Sequence, residues 1–185
     1  MTTARLGEYR GRLRDPSTWT ADDVALLLEG PALHWCDGYH GHTADRGPSW
    51  RCKGRRFATF RALEERFRGD ARVEALVLRR LADRDERVAT HAAELVGAWR
   101  LARAEGPLLE QLRRRLSASS PTYDDQLCVL ALVWALERVS SARELEALER
   151  DAPGGWSPFV PGKLRHAIET LRSGRACACR APSRR

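Results

Sequence analysis

The sequence predicts an all-α fold, a short α-solenoid of antiparallel helix pairs with a long irregular N-terminal loop, and three observations predict it. From Phe57 to Leu171 the apolar residues recur at steps of three and four, the spacing of one helical face. Stop and start signals at Gly69-Asp70, Asp83 to Asp85, Gly106-Pro107 and Ser117 to Thr122 cut this stretch into pieces of helical length. The pieces also repeat: Val88 and Leu127, like Ala92 and Ala131, stand 39 apart, Leu109 and Leu145, like Leu112 and Leu148, stand 36 apart, and Leu127 and Leu164 stand 37 apart. Helix pairs recurring at such a period are units that bury their faces against their neighbours.

The elements follow in order. The first 19 residues hold at most a short helix, ended at Asp15-Pro16-Ser17. Thr20-Ala21-Asp22-Asp23 is a helix-start signature, and Val24 and Leu26 to Leu28 follow it until Gly30-Pro31. Phe57, Phe60, Leu63 and Phe67 mark the next helix. Gly69 closes it and Asp70 caps the one after, which carries Val73, Leu76, Val77 and Leu81. Val88, Ala92, Leu95, Val96 and Trp99 define a long helix, and Pro107, at a helix start where its missing N–H costs nothing, leads into Leu108, Leu109, Leu112 and Leu116. Leu127 to Leu136 is apolar at every position, so this helix is expected to be packed on most sides, while at ten residues it is too short to cross a bilayer. Ser141 with Glu144 reads as a capping box for a helix bearing Leu145 and Leu148, and Pro161 starts a last helix with Leu164, Ala167, Ile168 and Leu171.

Length and charge narrow the function classes. The 185 residues suit one domain with a substantial core. The N-terminal stretch lacks the apolar core of an export signal, and no apolar run is long enough for a membrane span, so a cytoplasmic protein without membrane contact is expected. Five cysteines without an export signal point to reduced thiols or metal ligation. The net charge of +7 is uneven: residues 1–14 carry +3, residues 51–56 carry +4 and residues 163–185 carry +6, whereas residues 57–162 have 16 basic against 17 acidic side chains. Three segments are therefore read: 1–56, an N-terminal helix and irregular loop packed on the solenoid; 57–172, the helical repeats; and 173–185, a disordered basic tail containing Cys177 and Cys179.

Chemistry concentrates in the irregular stretch from Gly30 to Arg56, which has neither a helical nor a strand period. His34, Cys36, His40, His42 and Cys52 place three of the five histidines and two of the five cysteines within 19 residues, a donor set from which four ligands would close a tetrahedral zinc site and hold the loop. The competing reading is that Trp35 and Trp50 pack the loop while its histidines are polar surface; no other cofactor is expected. No G-x-S-x-G, H-E-x-x-H or G-x-G-x-x-G is present, and Ser157 and Leu164 break the only approach to a phosphate loop. Asp22/Asp23 and Asp124/Asp125 stand at helix starts, where capping explains them, and His91 and His166 read as solvated or satisfied residues. A non-enzymatic role follows.

The stretch ERVATHAAELVGAWRLARAEGPLLEQLRRRL resembles a HEAT repeat: a Val, an Ala-Ala pair and Leu-Val-Gly in one helix, then Leu-Leu-x-x-Leu in the next. The resemblance covers about residues 57–171. It implies an adaptor or scaffold that presents its helical surface to a protein partner. The alternative is nucleic-acid binding, in which Arg10, Arg12, Arg14, Arg51, Lys53, Arg55 and Arg56 line phosphates and Trp50 stacks a base. A version of that alternative is a resemblance to the HEAT-like alkylpurine DNA glycosylases, from which no catalytic residue carries over to this chain.

Overall fold

The computed structural model describes residues 8–9, 11–13, 15–29, 50–117, 121–139, 142–151, 156 and 158–173; at 50–58, 123, 142–143, 151 and 159 it describes the backbone alone. Among the described residues there are eight α-helices and no strand: α1 (Ala21–Glu29), α2 (Trp50–Phe67), α3 (Ala71–Arg80), α4 (Glu86–Trp99), α5 (Glu105–Leu116), α6 (Tyr123–Val139), α7 (Ala142–Asp151) and α8 (Phe159–Arg172). None of these is long and apolar enough to cross a membrane. The contacts gather into two compact units, Met1–Arg79 and Arg80–Arg185.

In the first unit the start of α1 is built as its sequence requires. Asp23 accepts from the Thr20 N–H at 2.7 Å and from the Thr20 hydroxyl at 2.9 Å, the reciprocal half of a capping box. Arg12 then pairs with the other oxygen of this buried carboxylate at 3.0 Å. Trp19, 1% exposed, fastens the segment from both sides: its indole N–H donates to the Arg12 carbonyl at 2.7 Å, and its own carbonyl accepts from Arg66 of α2 at 2.7 Å. Val24, Leu27, Leu28, Leu63, Phe67, Val73 and Val77 fill the core. Gly69, with φ +84°, makes the left-handed turn out of α2, and Asp70 accepts from the N–H groups of Arg72 and Val73 to start α3, as the sequence predicts.

One boundary differs. The last seven residues of the stretch predicted to be irregular, Trp50 to Arg56, are the first two turns of α2. Arginine and lysine are good helix formers, but they leave no apolar stripe by which those turns could be read. The one legible trace is Trp50, two turns before Phe57 on the same face.

The second unit is organised around α6, which packs against α4, α5 and α8, while α7 packs on α8. Cys128, Val129, Leu132, Val133, Ala135 and Leu136 are each at most 1% exposed, so the expectation of a helix packed on most sides holds. Two landmarks fix the direction of α4 against α6. Their first turns meet, because Glu86 and Asp125 bind the same nitrogen of Arg115. Near their far ends, a Cβ placed on Gly97 would lie 2.9 Å from the Ala135 Cα. The two helices therefore run parallel with partners 38 or 39 residues apart, the spacing that the sequence repeat shows. This close crossing needs glycine at 97, since any side chain there would also strike the Trp134 ring.

The next interval does not keep that register. Lys163 of α8 reaches Glu137 near the C-terminal end of α6, at 3.5 Å, so the 37-residue spacing of Leu127 and Leu164 is not a contact register. α7, ten residues long, packs chiefly on α8, through Arg165–Glu149 at 3.5 Å and Arg172–Glu146 at 2.9 Å. Trp156, in the connection to α8, donates its indole N–H to the Leu116 carbonyl at the end of α5, at 3.3 Å.

Candidate functional site

The residues that the sequence singles out fall into three groups. Arg10, Arg14, His34, Cys36, His40 and His42 lie outside the described residues, as do Cys177 and Cys179. Trp50, Arg51, Cys52, Lys53, Arg55 and Arg56 occupy the first two turns of α2, with Arg51 and Arg55 one turn apart. Arg12 is committed within the fold, to Asp23. Among the described residues no group of three His, Cys, Asp or Glu gathers closely enough to hold a metal ion.

The carboxylate pairs at helix starts do the structural task expected of them. Thr122 and Asp125 form a full capping box: Asp125 accepts from the Thr122 N–H at 2.9 Å and from its hydroxyl at 2.8 Å, and the Asp125 N–H donates back to that hydroxyl at 3.1 Å. Arg115, 8% exposed, adds a third level by donating to Glu86 at 2.7 Å, Asp125 at 3.1 Å and the Asp83 carbonyl at 3.2 Å. It joins the starts of α4 and α6 to the end of α5. Burial alone would raise the Asp125 pKa, but the Thr122 bonds and Arg115 hold the carboxyl below its usual range. Beside this junction Cys128 is 1% exposed, and burial pushes its thiol above the usual range, only partly offset by Arg115 and the Thr90 hydroxyl. A buried, protonated thiol is a packing group, not a nucleophile. His91 is likewise buried at 2% and takes part in the fold's interactions.

The surface of α6 offers a different arrangement. Between Cys128 and Glu137 only Leu130 and Trp134 of this helix are half-buried, and with the half-buried Gln126 and Arg138 their spacing of four puts them on one outward strip. Gly97 of α4 lets the Trp134 ring lie against the backbone, where a Cβ would come within 2.5 Å of Cζ3. Arg138, one turn on, places its guanidinium carbon 4.1 Å from the centre of that ring, a close cation–π stack. The ring thus touches both the α4 backbone and the Arg138 cation. Alongside, the Glu137 side chain is fully buried with Lys163 as its cation. Neither Trp134 nor Arg138 stands out in the sequence, because the uniform apolarity of Leu127 to Leu136 gives no face preference; the legible signal is the Trp-x-x-x-Arg spacing next to Gly97 at the repeat offset.

A comparison of the chain with protein-family models, with curated proteins and with solved structures finds no match in any of the three.

Proposed function

We propose that this chain is a non-enzymatic protein–protein interaction module, an adaptor or scaffold whose helical body follows the HEAT-like solenoid plan of antiparallel pairs and docks a protein partner on its surface. The observation that carries this reading is the outward strip of α6. Tryptophan and arginine are the residues most often found to dominate protein interfaces, and a tryptophan immobilised before binding loses little further freedom on docking. The contacts of Trp134 with Gly97 and Arg138 would restrain it in this way. The parallel register of α4 and α6 supports the solenoid plan over one interval.

A specific observation favours a second reading, nucleic-acid binding. Because α2 begins at Trp50, Arg51, Lys53, Arg55 and Arg56 fall within the first two turns of one helix, adding four cations to its positive end. Affinity capture from the source organism's lysate, with and without nuclease, separates the two. The docking reading expects one protein retained in both samples and lost from a Trp134→Ala bait that is still folded. Material lost on nuclease treatment, and unaffected by Trp134→Ala, would contradict it and direct mutagenesis to Arg51 and Arg55.

A further inference from the structure

Resting on the docking reading of the α6 strip, we propose that the partner presents an acidic segment, one Asp or Glu carboxylate of which is bound by the Arg138 guanidinium beside the Trp134 ring. Several cations of the second unit are held by carboxylates of neighbouring helices. Arg113 pairs with Glu144, Arg115 with Glu86 and Asp125, Lys163 with Glu137, Arg165 with Glu149 and Arg172 with Glu146. Among the described residues no carboxylate pairs with Arg138: its contact is with the ring, and its Nε is buried without an acceptor. The guanidinium carbon lies over the ring, and with Nε buried the two terminal nitrogens are the donors through which a partner would be bound. A planar fork held in one orientation matches the two oxygens of a carboxylate, while Trp134 and Leu130 receive the apolar neighbours of that residue.

Charge complementarity favours a carboxylate over a phosphodiester chain. Strong binding of nucleic acid calls for several cations along a groove. Here Lys163 is held by the buried Glu137. A single fork beside apolar surface suits one acidic side chain in a peptide.

The test is selection of a random-peptide phage library on the full chain, followed by dissociation constants of synthetic winners for wild type, Arg138→Gln, Arg138→Lys and Trp134→Phe. We expect winners enriched in Asp or Glu next to apolar residues, weakened about tenfold or more by Arg138→Gln and less by Arg138→Lys, with unchanged melting temperatures. If Arg138→Gln unfolds the chain, the Arg138→Lys comparison and replacement of the peptide's acid by its amide still decide. Winners without acidic preference, sensitive to Trp134→Phe but not to Arg138→Gln, would overturn this inference and leave the docking reading standing. Winners indifferent to both positions, or no winners at all, would overturn both. Displacement of the peptide by oligo-dT, abolished by Arg138→Gln, would overturn the carboxylate in favour of a phosphate ligand.

Discussion

Replacing Arg115 by methionine removes a buried cation while keeping most of its length. Glu86 and Asp125 then face each other across a site where both had bound one nitrogen, at 2.7 and 3.1 Å. Breaking a buried ion pair by removing one partner costs about 3–5 kcal/mol. The Glu86 side chain is 34% exposed and can recover water, and Asp125 keeps its Thr122 bonds, so the loss should lie at the low end, about 3 kcal/mol. With a urea slope of about 2 kcal/mol/M, the unfolding midpoint followed by circular dichroism at pH 7 falls by about 1.5 M. The pH dependence gives an independent check. The Asp125 carboxyl has a folded pKa below its unfolded value of about 4, so its share of stability is present above pH 4 and disappears as pH falls through the folded value. The gap between wild type and Arg115→Met should therefore narrow on acidification below pH 4. A midpoint shift under about 0.3 M, or a gap that stays constant to pH 2, would refute the assignment of Arg115 as the junction of α4, α5 and α6.

Other positions give further outcomes. Gly97→Ala gains about 1 kcal/mol of helix propensity but forces a methyl into the Trp134 ring and the Ala135 backbone, an overpacking cost of about 1–3 kcal/mol, so urea unfolding should show a net loss and tryptophan emission should shift. Trp134→Ala should relieve only part of this, because the Ala135 Cα remains. Arg100 ends α4 with φ +55°, donating its N–H to the Gly97 and Val96 carbonyls, so Arg100→Gly should stabilise the protein by about 0.5–1 kcal/mol in the same assay. Cys128 should resist a short pulse of iodoacetamide in the native protein and become labelled in urea, as read by peptide mass spectrometry; native labelling would show that α6 is not buried there.

Much of the fold was legible because apolar spacing and caps are local. Thr20 and Asp23, Asp70, and Thr122 with Asp125 start helices in the structure, and the stretch from Leu127 to Leu136, apart from the half-buried Leu127, Leu130 and Trp134, is the buried centre of the second unit. The 39-residue offset of Val88 and Leu127 reappears as the Glu86 and Asp125 pair on Arg115. What escaped was set by partners distant in sequence. Arg115 belongs to an Arg113 to Arg115 run in which nothing local marks one arginine as buried, yet it lies three residues after Leu112 on the buried face of α5. Lys163 meets Glu137 across 26 residues, a pairing that no spacing of leucines encodes. Trp134 comes against the α4 backbone only through Gly97, on another helix. The capping box of Ser141 with Glu144 lies partly outside the described residues, since Ser141 does.

The proposed solenoid plan, and with it the proposed docking surface, rests on the direction of α4 against α6. Spin-labelled unnatural amino acids at positions 87 and 126, and separately at 87 and 139, would report it by pulsed electron resonance. Parallel helices packed about 10 Å apart put 87 close to 126, and about 20 Å further along the axis from 139. The account predicts the shorter distance for 87 and 126. The shorter distance for 87 and 139 would make the helices antiparallel and contradict it.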